Sequence, residues 1–486
     1  KLLDTSNPEK LIVVAEIELS KEEDNPTCLA VGSGHLIFAG LNSSPCEIRA
    51  GRNLHFRIYE IREVSNGDEK ETRVESSRLK ITEGLKCSLF SNIEKDIYQR
   101  LIKLTAPHQD QPQLGAITTG LAKNHEIVLF KTAHHNPPKT QEILKIDNEA
   151  VDIDFFQISP DEFLFAYCDE HAVYVKKIAA VRENLKPKCI YLVPTLQSDQ
   201  RYKNFSIRAI RWLTKYHIII LINLFRNGGV KLHIIEVPPE GIQTQVLKST
   251  HLPRRHKKAT GLCIANLSIA QDLRYTQTDT QFVLAIACQD GSILLFTINL
   301  KTEAAICRLS EIIPFCSLKN VHPLQITNLA FSTVIPPNLI GNNILTQPVL
   351  RLASVAISQT VIVHTLPLFP IYSSIGRDEF KTNHYVVRLP HSTNKKKIFA
   401  AISIIGVLLM AILIQLTSGI KSDTPRQFVR KNVPSQLQKI LGIKFPTRNI
   451  QNVKYEKMDA EMAVPVEVVT DDNQGSHSNF AAGIKT

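Results

Sequence analysis

Residues 282–298 read FVLAIACQDGSILLFTI, two apolar runs joined by a Gln-Asp-Gly-Ser turn. An Asp-Gly pair between two β-forming runs is the strongest short-range signal of a β-hairpin. A third β-forming run, GLCI at residues 261–264, precedes the hairpin. The stretch therefore predicts three successive strands, and it is the clearest example of a pattern that recurs along the chain.

The recurring pattern has the order strand, turn, strand, polar turn, strand. Small sheets of this kind can be arranged in a ring, so that neighbouring sheets bury each other's faces and no long sheet edge is left bare. The recurrence therefore predicts a β-propeller with six visible blades. The six blocks lie at residues 28–61, 114–130, 151–175, 207–235, 261–298 and 326–364.

A further apolar run at residues 11–19, LIVVAEIEL, reads as a strand without partner strands of its own in the chain. It suggests a seventh blade whose remaining strands lie before Lys1. The predicted fold class is therefore all-β: a seven-bladed, WD-repeat-like β-propeller over residues 1–373, with its first blade incomplete. A β-sandwich, or several smaller β domains, is the alternative that the same strand pattern leaves open.

The segment at residues 398–416, IFAAISIIGVLLMAILIQL, contains 19 residues without a charge, and its apolar character continues weakly to residue 420. At about 1.5 Å per residue, a helix of this length just crosses a hydrocarbon core of about 30 Å. We therefore predict a transmembrane helix at 398–420 in preference to a buried core helix. A juxtamembrane linker at 374–397 precedes the helix, and a largely disordered tail at 421–486 follows it.

The orientation of this span follows from its flanks and from the cysteines. Lys395, Lys396 and Lys397 favour a cytosolic N-terminal side, although basic residues beyond the span nearly balance them. All nine cysteines precede the span, and their odd number without paired spacing indicates reduced thiols in a cytosolic domain. The tail would then be lumenal. Asn42, Asn204 and Asn266 begin glycosylation sequons that would be used only if the large domain were lumenal.

The sequence carries no motif of bond-making chemistry. We find no GxxxxGK[ST] phosphate loop, GxSxG elbow, HExxH zinc motif or paired carboxylates, and no Cys/His spacing that holds zinc. We predict that the chain is not an enzyme and binds no nucleotide or metal through these motifs. The net charge of +11 does not identify a partner, and the basic run at 254–258 favours a solvated loop over a nucleic-acid contact.

The segment at residues 42–57, NSSPCEIRAGRNLHFR, stands apart from the other inter-strand loops. With residues 25–27 and 36–40 it resembles the Sec-twelve family, which includes the animal prolactin regulatory element-binding protein. Short matches continue in the same order at 260–262, 290–292, 326–328 and 360–368, and the membrane segment follows them. Within the segment, the residues that match the family motif, and that form a possible partner surface, are Asn42, Ser44, Ile48, Gly51, Asn53, His55 and Arg57.

The resemblance implies a protein anchored in the endoplasmic-reticulum membrane by one span, with the Golgi as a second location reached by cycling. Its implied role is exchange of GDP for GTP on a Sar-type small GTPase, which starts assembly of coat protein complex II for transport to the Golgi. The implied partners are this GTPase, the membrane and, indirectly, the coat components, with no nucleic acid. The family also has a potassium-binding loop in its first blade. Nothing in residues 1–25 matches that loop, which would lie before Lys1, and no catalytic residue or other cofactor is implied.

Two other functions stay open at the level of sequence. One is a membrane-anchored propeller scaffold that binds the same GTPase or coat without promoting exchange. The other is nuclear DNA binding through the basic charge, which the predicted membrane span disfavours.

Overall fold

The computed structural model describes residues 1–388 with twelve internal gaps, together with residues 403, 406, 407, 409 and 410. Residues 1–387 form one compact unit. The described part of residues 1–388 contains 27 strands and one short helix, α1 (Pro45–Arg49), and residues 403, 406, 407, 409 and 410 are also helical. The gaps are 65–78, 92–96, 108–111, 133–135, 180–185, 194–204, 225–227, 239–243, 269–277, 304–305, 337–346 and 376–378.

Six antiparallel sheets, here called blades A to F, follow one another along the chain. Blade A contains β3 (Cys28–Val31), β4 (Leu36–Gly40), β5 (Phe56–Glu63) and β6 (Leu79–Cys87). Blade B contains β7 (Tyr98–Leu104), β8 (Gln113–Gly120), β9 (His125–Thr132) and β10 (Lys139–Ile146). Blade C contains β11 (Asp152–Ser159), β12 (Glu162–Cys168), β13 (Ala172–Ile178) and β14 (Lys188–Leu192).

The second half of the ring is built in the same way. Blade D contains β15 (Phe205–Thr214), β16 (His217–Leu224), β17 (Gly229–Glu236) and β18 (Val246–His251). Blade E contains β19 (Ala259–Asn266), β20 (Thr280–Cys288), β21 (Ile293–Glu303), β22 (Ile306–Leu309) and β23 (Ile313–Leu318), the last two both pairing with β21. Blade F contains β24 (Ile326–Phe331), β25 (Val349–Ala356), β26 (Val361–Ile375) and β27 (Glu379–Val387).

The first strands of the six blades, β3, β7, β11, β15, β19 and β24, are neighbours in that order around a central channel of about 750 Å³. This arrangement is a β-propeller, which confirms that part of the prediction, and each predicted block falls within one blade. The described residues form six such sheets, and the seventh blade remains a prediction. The compact unit extends to Val387, past the predicted boundary at 373, because β27 pairs with the second half of β26.

Burial explains why these sequences form blades. Every residue of β8 and of β20 is buried, since neighbouring blades cover both faces of a middle strand. One apolar cluster fills each junction between successive blades: Ile219 and Leu232 of blade D, for example, share a cluster with Leu284 of blade E. Each fully buried Leu or Ile contributes about 1.5–3 kcal/mol relative to an exposed position, so the junctions supply most of the stability.

Hydrogen bonds and one ion pair connect the five successive pairs of blades from A to F, mostly through residues of the inner strands. The contacts combine side chains with backbone groups or with opposite charges, which leaves these polar groups satisfied in the interior. In order around the ring they are Thr27 Oγ1 to Gln99 O at 2.5 Å, Lys103 Nζ to Asp154 Oδ1 at 3.2 Å, Ile210 N to Asp152 Oδ2 at 2.9 Å, Ala259 N to Asn223 Oδ1 at 2.8 Å, and Thr260 Oγ1 to Ile326 O at 2.7 Å.

A second set of bonds fixes the loop that enters a blade to that blade's second and third strands. In blade C, Asn148 Nδ2 donates to Asp169 Oδ2 at 2.9 Å. In blade F the imidazole of His322 bridges Ser354 at 2.8 Å and Thr360 at 2.6 Å. The connecting loops are therefore held by side chains whose positions repeat from blade to blade.

The run at residues 11–19 does have a partner strand, which corrects the prediction. The chain forms β1 (Leu2–Asp4) and β2 (Ile12–Ala15), and these two strands pair antiparallel. Ala15 packs in a cluster with residues of blade A, and Arg351 of blade F donates to Thr5 Oγ1 at 3.2 Å and to Ser6 O at 3.1 Å. The hairpin therefore contacts both the first and the last blade.

Several predictions fall outside the described residues. These are Lys395, Lys396 and Lys397, almost all of the predicted span at 398–420, and the tail at 421–486. Among the residues that are described, no helix has the length and apolar character needed to cross a membrane.

We expect Gly291→Ala to destabilise the ring at the junction of blades E and F. Gly291 has φ of +73°, and a Cβ atom there would lie 2.2 Å from the carbonyl oxygen of His322. Left-handed strain of about 1–2 kcal/mol would add to an overpacking cost of about 1–3 kcal/mol, giving a loss of about 3 kcal/mol in the free energy of unfolding by urea.

Gly51→Ala is the matched control, because Gly51 has φ of +75° with no atom within 4 Å of the added Cβ. It should lose only the strain, about 1 kcal/mol. Equal losses for the two variants would contradict a constraint imposed by the His322 loop.

Candidate partner-binding loop in blade A

The connection between β4 and β5 carries α1 and all but the last of the residues that match the family motif. Ser44 caps the helix, because its Oγ accepts the N–H of Glu47 at 3.4 Å, and Pro45 begins the first turn. Gly51, at φ of +75°, lets the chain turn after the helix. Arg52 folds back on Glu47 through an exposed two-point ion pair, with distances of 2.8 and 3.1 Å.

Two amide side chains hold this connection against blade B. Asn42 Nδ2 donates to the carbonyl of Ile97 at 3.2 Å, and Asn42 Oδ1 accepts from Asn53 Nδ2 at 3.0 Å and from Gln99 Nε2 at 2.9 Å. Asn53 Oδ1 in turn accepts the N–H of Ser43 at 3.0 Å. Both Asn side chains are buried, so this network fixes the loop and is not available to a partner.

His55 is also buried, with 1% of its surface exposed. Its Nε2 accepts the backbone N–H groups of Leu89 at 3.2 Å and Phe90 at 3.3 Å, and its ring stacks on Phe90 at 4.4 Å. Burial, together with the nearby charge of Arg57, lowers the pKa of His55 to about 4. The imidazole is therefore neutral at pH 7 and acts as a backbone acceptor between two blades.

Arg57, the second residue of β5, is the largest fully buried side chain among the described residues, with 1% exposure. Its Nη1 donates to Glu83 Oε1 at 2.9 Å, its Nη2 to Glu23 Oε1 at 2.8 Å, and its Nε to the Leu54 carbonyl at 2.8 Å. Glu83 lies on β6, and Glu23 lies in the segment before β3. One guanidinium thus joins the chain segment entering blade A to the outer strand of that blade.

The structure therefore divides the seven motif residues into two groups. Asn42, Asn53, His55 and Arg57 are buried and hold the loop, whereas Ser44 and Ile48 are partly exposed and Gly51 is exposed. The surface that a partner could touch is formed by other residues of the loop, which the sequence comparison did not single out. These are Pro45, Cys46, Arg49, Arg52 and Leu54.

A second cluster lies in blade E, where His256, Cys288 and Asp290 bring a possible set of metal ligands within 4.8 Å of one another. His256 Nε2 accepts from Arg255 Nε at 2.9 Å, so Nδ1 carries the proton and faces Asp290 Oδ2 at 3.1 Å. Cys288 is fully buried, and burial raises the pKa of its thiol to about 12. The protonated Nδ1 has no lone pair to offer a metal, and a thiol that stays protonated at pH 7 is a much weaker ligand than the thiolate that metals bind.

The corresponding position in blade F supports a structural role for this cluster. There His322 makes the equivalent contacts with two hydroxyl groups, and no acid or thiol takes part. The sequence analysis missed the blade E cluster because its members are separated by a whole hairpin. Arg255 also donates to Ser317 Oγ at 2.8 Å. One residue of the basic run at 254–258 therefore makes a structural hydrogen bond.

Comparison with known proteins yields weak similarities only. No protein-family model and no curated protein sequence matches the chain. Among solved structures, a bifunctional GH43-CE protein of Bacteroides eggerthii aligns at TM-score 0.31 and 7% identity over 75% of this chain, which spans 58% of that protein. A mutant Aleuria aurantia lectin in complex with Fucα1-6GlcNAc aligns at TM-score 0.33 and 10% identity, covering 75% of this chain and 96% of the lectin. Neither similarity carries an argument about function.

We expect Arg57→Met to lower the free energy of unfolding by about 3 kcal/mol, because it leaves the partly buried carboxylates of Glu23 and Glu83 without their main counter-charge. Chemical denaturation monitored by circular dichroism measures the loss. Arg52→Met is the matched control: its ion pair with Glu47 is exposed, and exposed pairs contribute little. A loss at Arg52 as large as that at Arg57 would contradict the structural role of the buried guanidinium.

Proposed function

We propose that this chain is a guanine nucleotide-exchange factor for a Sar-type small GTPase at the endoplasmic-reticulum membrane. The observation that carries the proposal is that the seven motif residues at 42–57 lie in the connection between β4 and β5 and at the start of β5. Four of them are buried and keep the short helix α1 at the surface. A motif used to present a helix has the form expected of a protein-recognition loop.

The mechanism needs no bond-making group. A factor that binds the nucleotide-free GTPase more tightly than the nucleotide-bound form shifts the equilibrium towards nucleotide release. The exposed residues Arg49, Arg52 and Leu54 provide two cations and one apolar side chain for this contact. The potassium-binding loop that the resemblance implies would belong to another segment of the first blade.

A seventh blade is part of the same proposal. The β1–β2 hairpin contributes two strands that contact blades A and F. On the inner strand β3, Leu29 is 62% exposed and Val31 is 76% exposed, which is unusual for apolar residues of a central strand. Two further strands placed beside the hairpin would cover these side chains and complete the ring.

The proposal places the protein in the membrane through the helix predicted at 398–420, with Lys395, Lys396 and Lys397 on the cytosolic side. Its support is the uncharged sequence of the span and the distribution of the cysteines. An anchor of this kind would confine exchange to the membrane on which the coat assembles. The coat components are then indirect partners.

We expect the full-length protein to speed GDP release from a purified Sar-type GTPase by about tenfold or more, which corresponds to about 1.4 kcal/mol off the barrier to release. The measurement is loss of fluorescence from a labelled GDP. Arg49→Glu should reduce the effect, because it reverses a charge on the exposed face of α1.

Arg254→Glu is the matched control, since it reverses an exposed charge on blade D's connection to blade E. Binding of the GTPase without faster release would contradict the exchange proposal and support a non-exchanging scaffold. Equal effects of the two variants would contradict the assignment of the contact to α1.

The proposed topology predicts that the tail, and not the propeller, acquires N-linked sugar. Ser476→Asn creates a sequon in the tail, which should be glycosylated in cells and give a gel shift reversed by endoglycosidase. Asn266 is the internal comparison, because its side chain is exposed on the propeller. Sugar at Asn266 would reverse the topology; Asn42 is uninformative because its side chain is buried.

A further inference from the structure

The central channel has one charged side and one apolar side. Blades B, C and D contribute the charged side, whereas β3 of blade A contributes Leu29 and Val31. A volume of about 750 Å³ lies within the range of small-molecule sites, roughly 300–1,000 Å³. The charged side chains that line the channel are Arg100, Lys103, Asp152, Asp154, Arg208 and Arg211.

Two of these arginines occupy β-bulges. The register between β7 and β8 skips Arg100, and the register between β15 and β16 skips Arg208. The same place in β19 and β24 is taken by Thr260 and Thr327. A bulge releases one residue from the ladder and redirects its side chain, and bulges are frequent beside binding sites. The fold therefore places an arginine on each side of blade C at one level of the channel.

The other cations of the channel are already paired. Arg211 Nη1 contacts Asp152 Oδ2 at 2.5 Å, Lys103 contacts Asp154, and Arg100 contacts Glu149. Arg208 differs from them, because it forms no hydrogen bond or ion pair with any residue that the structure describes. Asp152 lies near enough to attract it, but the same carboxylate oxygen already receives Arg211 and the N–H of Ile210.

The environment of Arg208 is unfavourable for a lone cation. Burial lowers the pKa of its guanidinium, and the positive charges of Arg100 and Arg211 act in the same direction. An anion beside Arg208 would offset both the cost of burying its charge and the repulsion from Arg100 and Arg211. It supplies an opposite charge and accepts hydrogen bonds from the guanidinium N–H groups.

The same strand offers a second donor without an acceptor. Trp212 lines the channel and is 7% exposed, and its indole N–H has no hydrogen-bond partner among the described residues. A buried N–H without a partner costs about 1–3 kcal/mol, and such groups are rare in folded proteins. Phe156 lies beside the indole, with the ring centroids 6.0 Å apart.

We propose that the central channel binds a small organic anion, whose phosphate or carboxylate group is held by the guanidinium of Arg208, with Trp212 lining the same channel four residues further along the strand. The apolar part of the ligand packs against the rings of Phe156 and Trp212, which also line the channel. This site is independent of the proposed contact between α1 and a GTPase.

Trp212 is the only tryptophan of the chain, so its fluorescence reports on this channel. The full chain is titrated with inorganic phosphate, acetate and phenyl phosphate at constant ionic strength. We expect a saturable change in emission with phosphate or acetate, which identifies the anionic group. Phenyl phosphate should bind more tightly than inorganic phosphate because its ring adds apolar contact.

Arg208→Gln should raise the dissociation constant by about tenfold or more, since it removes charge-assisted hydrogen bonds. Arg62→Gln is the matched control: Arg62 is exposed on β5 and does not line the channel, so binding should not change. If circular dichroism shows that Arg208→Gln does not fold, Arg208→Lys is the second variant. It keeps the charge but loses the planar guanidinium with its paired donors, and it should weaken binding by about threefold or more.

Two results would overturn the proposal. The first is a linear, non-saturating response of Trp212 to all three probes. The second is an unchanged dissociation constant in the folded Arg208 variant.

Discussion

The architecture depends on one constraint: middle strands of the blades are buried on both faces between neighbouring sheets. β8 and β20 are buried at every position, so neither could face water as part of an isolated sheet. A blade of this kind needs neighbouring sheets to cover its faces, and a ring of successive blades provides them. The hydrogen bonds between blades and the histidine contacts within them add to an arrangement that this burial already holds together.

The sequence predicted the middle strands, and the inner strands of every blade but B, because burial leaves a clear apolar signal in them. It did not predict the outer strands: β10 and β18 alternate exposed and partly buried residues, and their sequences resemble polar loops. The first strand of blade B was missed for a related reason, since YQRLIKL mixes charge with apolar residues where it faces the channel. The partner of β2 was missed because β1 has only three residues.

Buried polar residues set the limit of prediction at the candidate loop. Polar residue types in a loop usually indicate exposure, yet Asn42, His55 and Arg57 lie inside because the fold supplies a partner for each of their polar groups. A polar side chain can be buried only where protein groups replace its hydrogen bonds to water. Here those groups belong to residues far away in sequence, such as Glu83 and Ile97. The bulges that redirect Arg100 and Arg208 are equally invisible before the strand register is known.

The hairpin of β1 and β2 makes the first and last blades mechanically dependent on each other. It is joined to blade A by apolar packing and to blade F through the side chain of Arg351, with only a few residues in each strand. Tension applied to the first residues of the chain would be transmitted to both ends of the ring at once. The hairpin therefore connects the two terminal blades. Its release would let these blades separate while the other junctions stay intact.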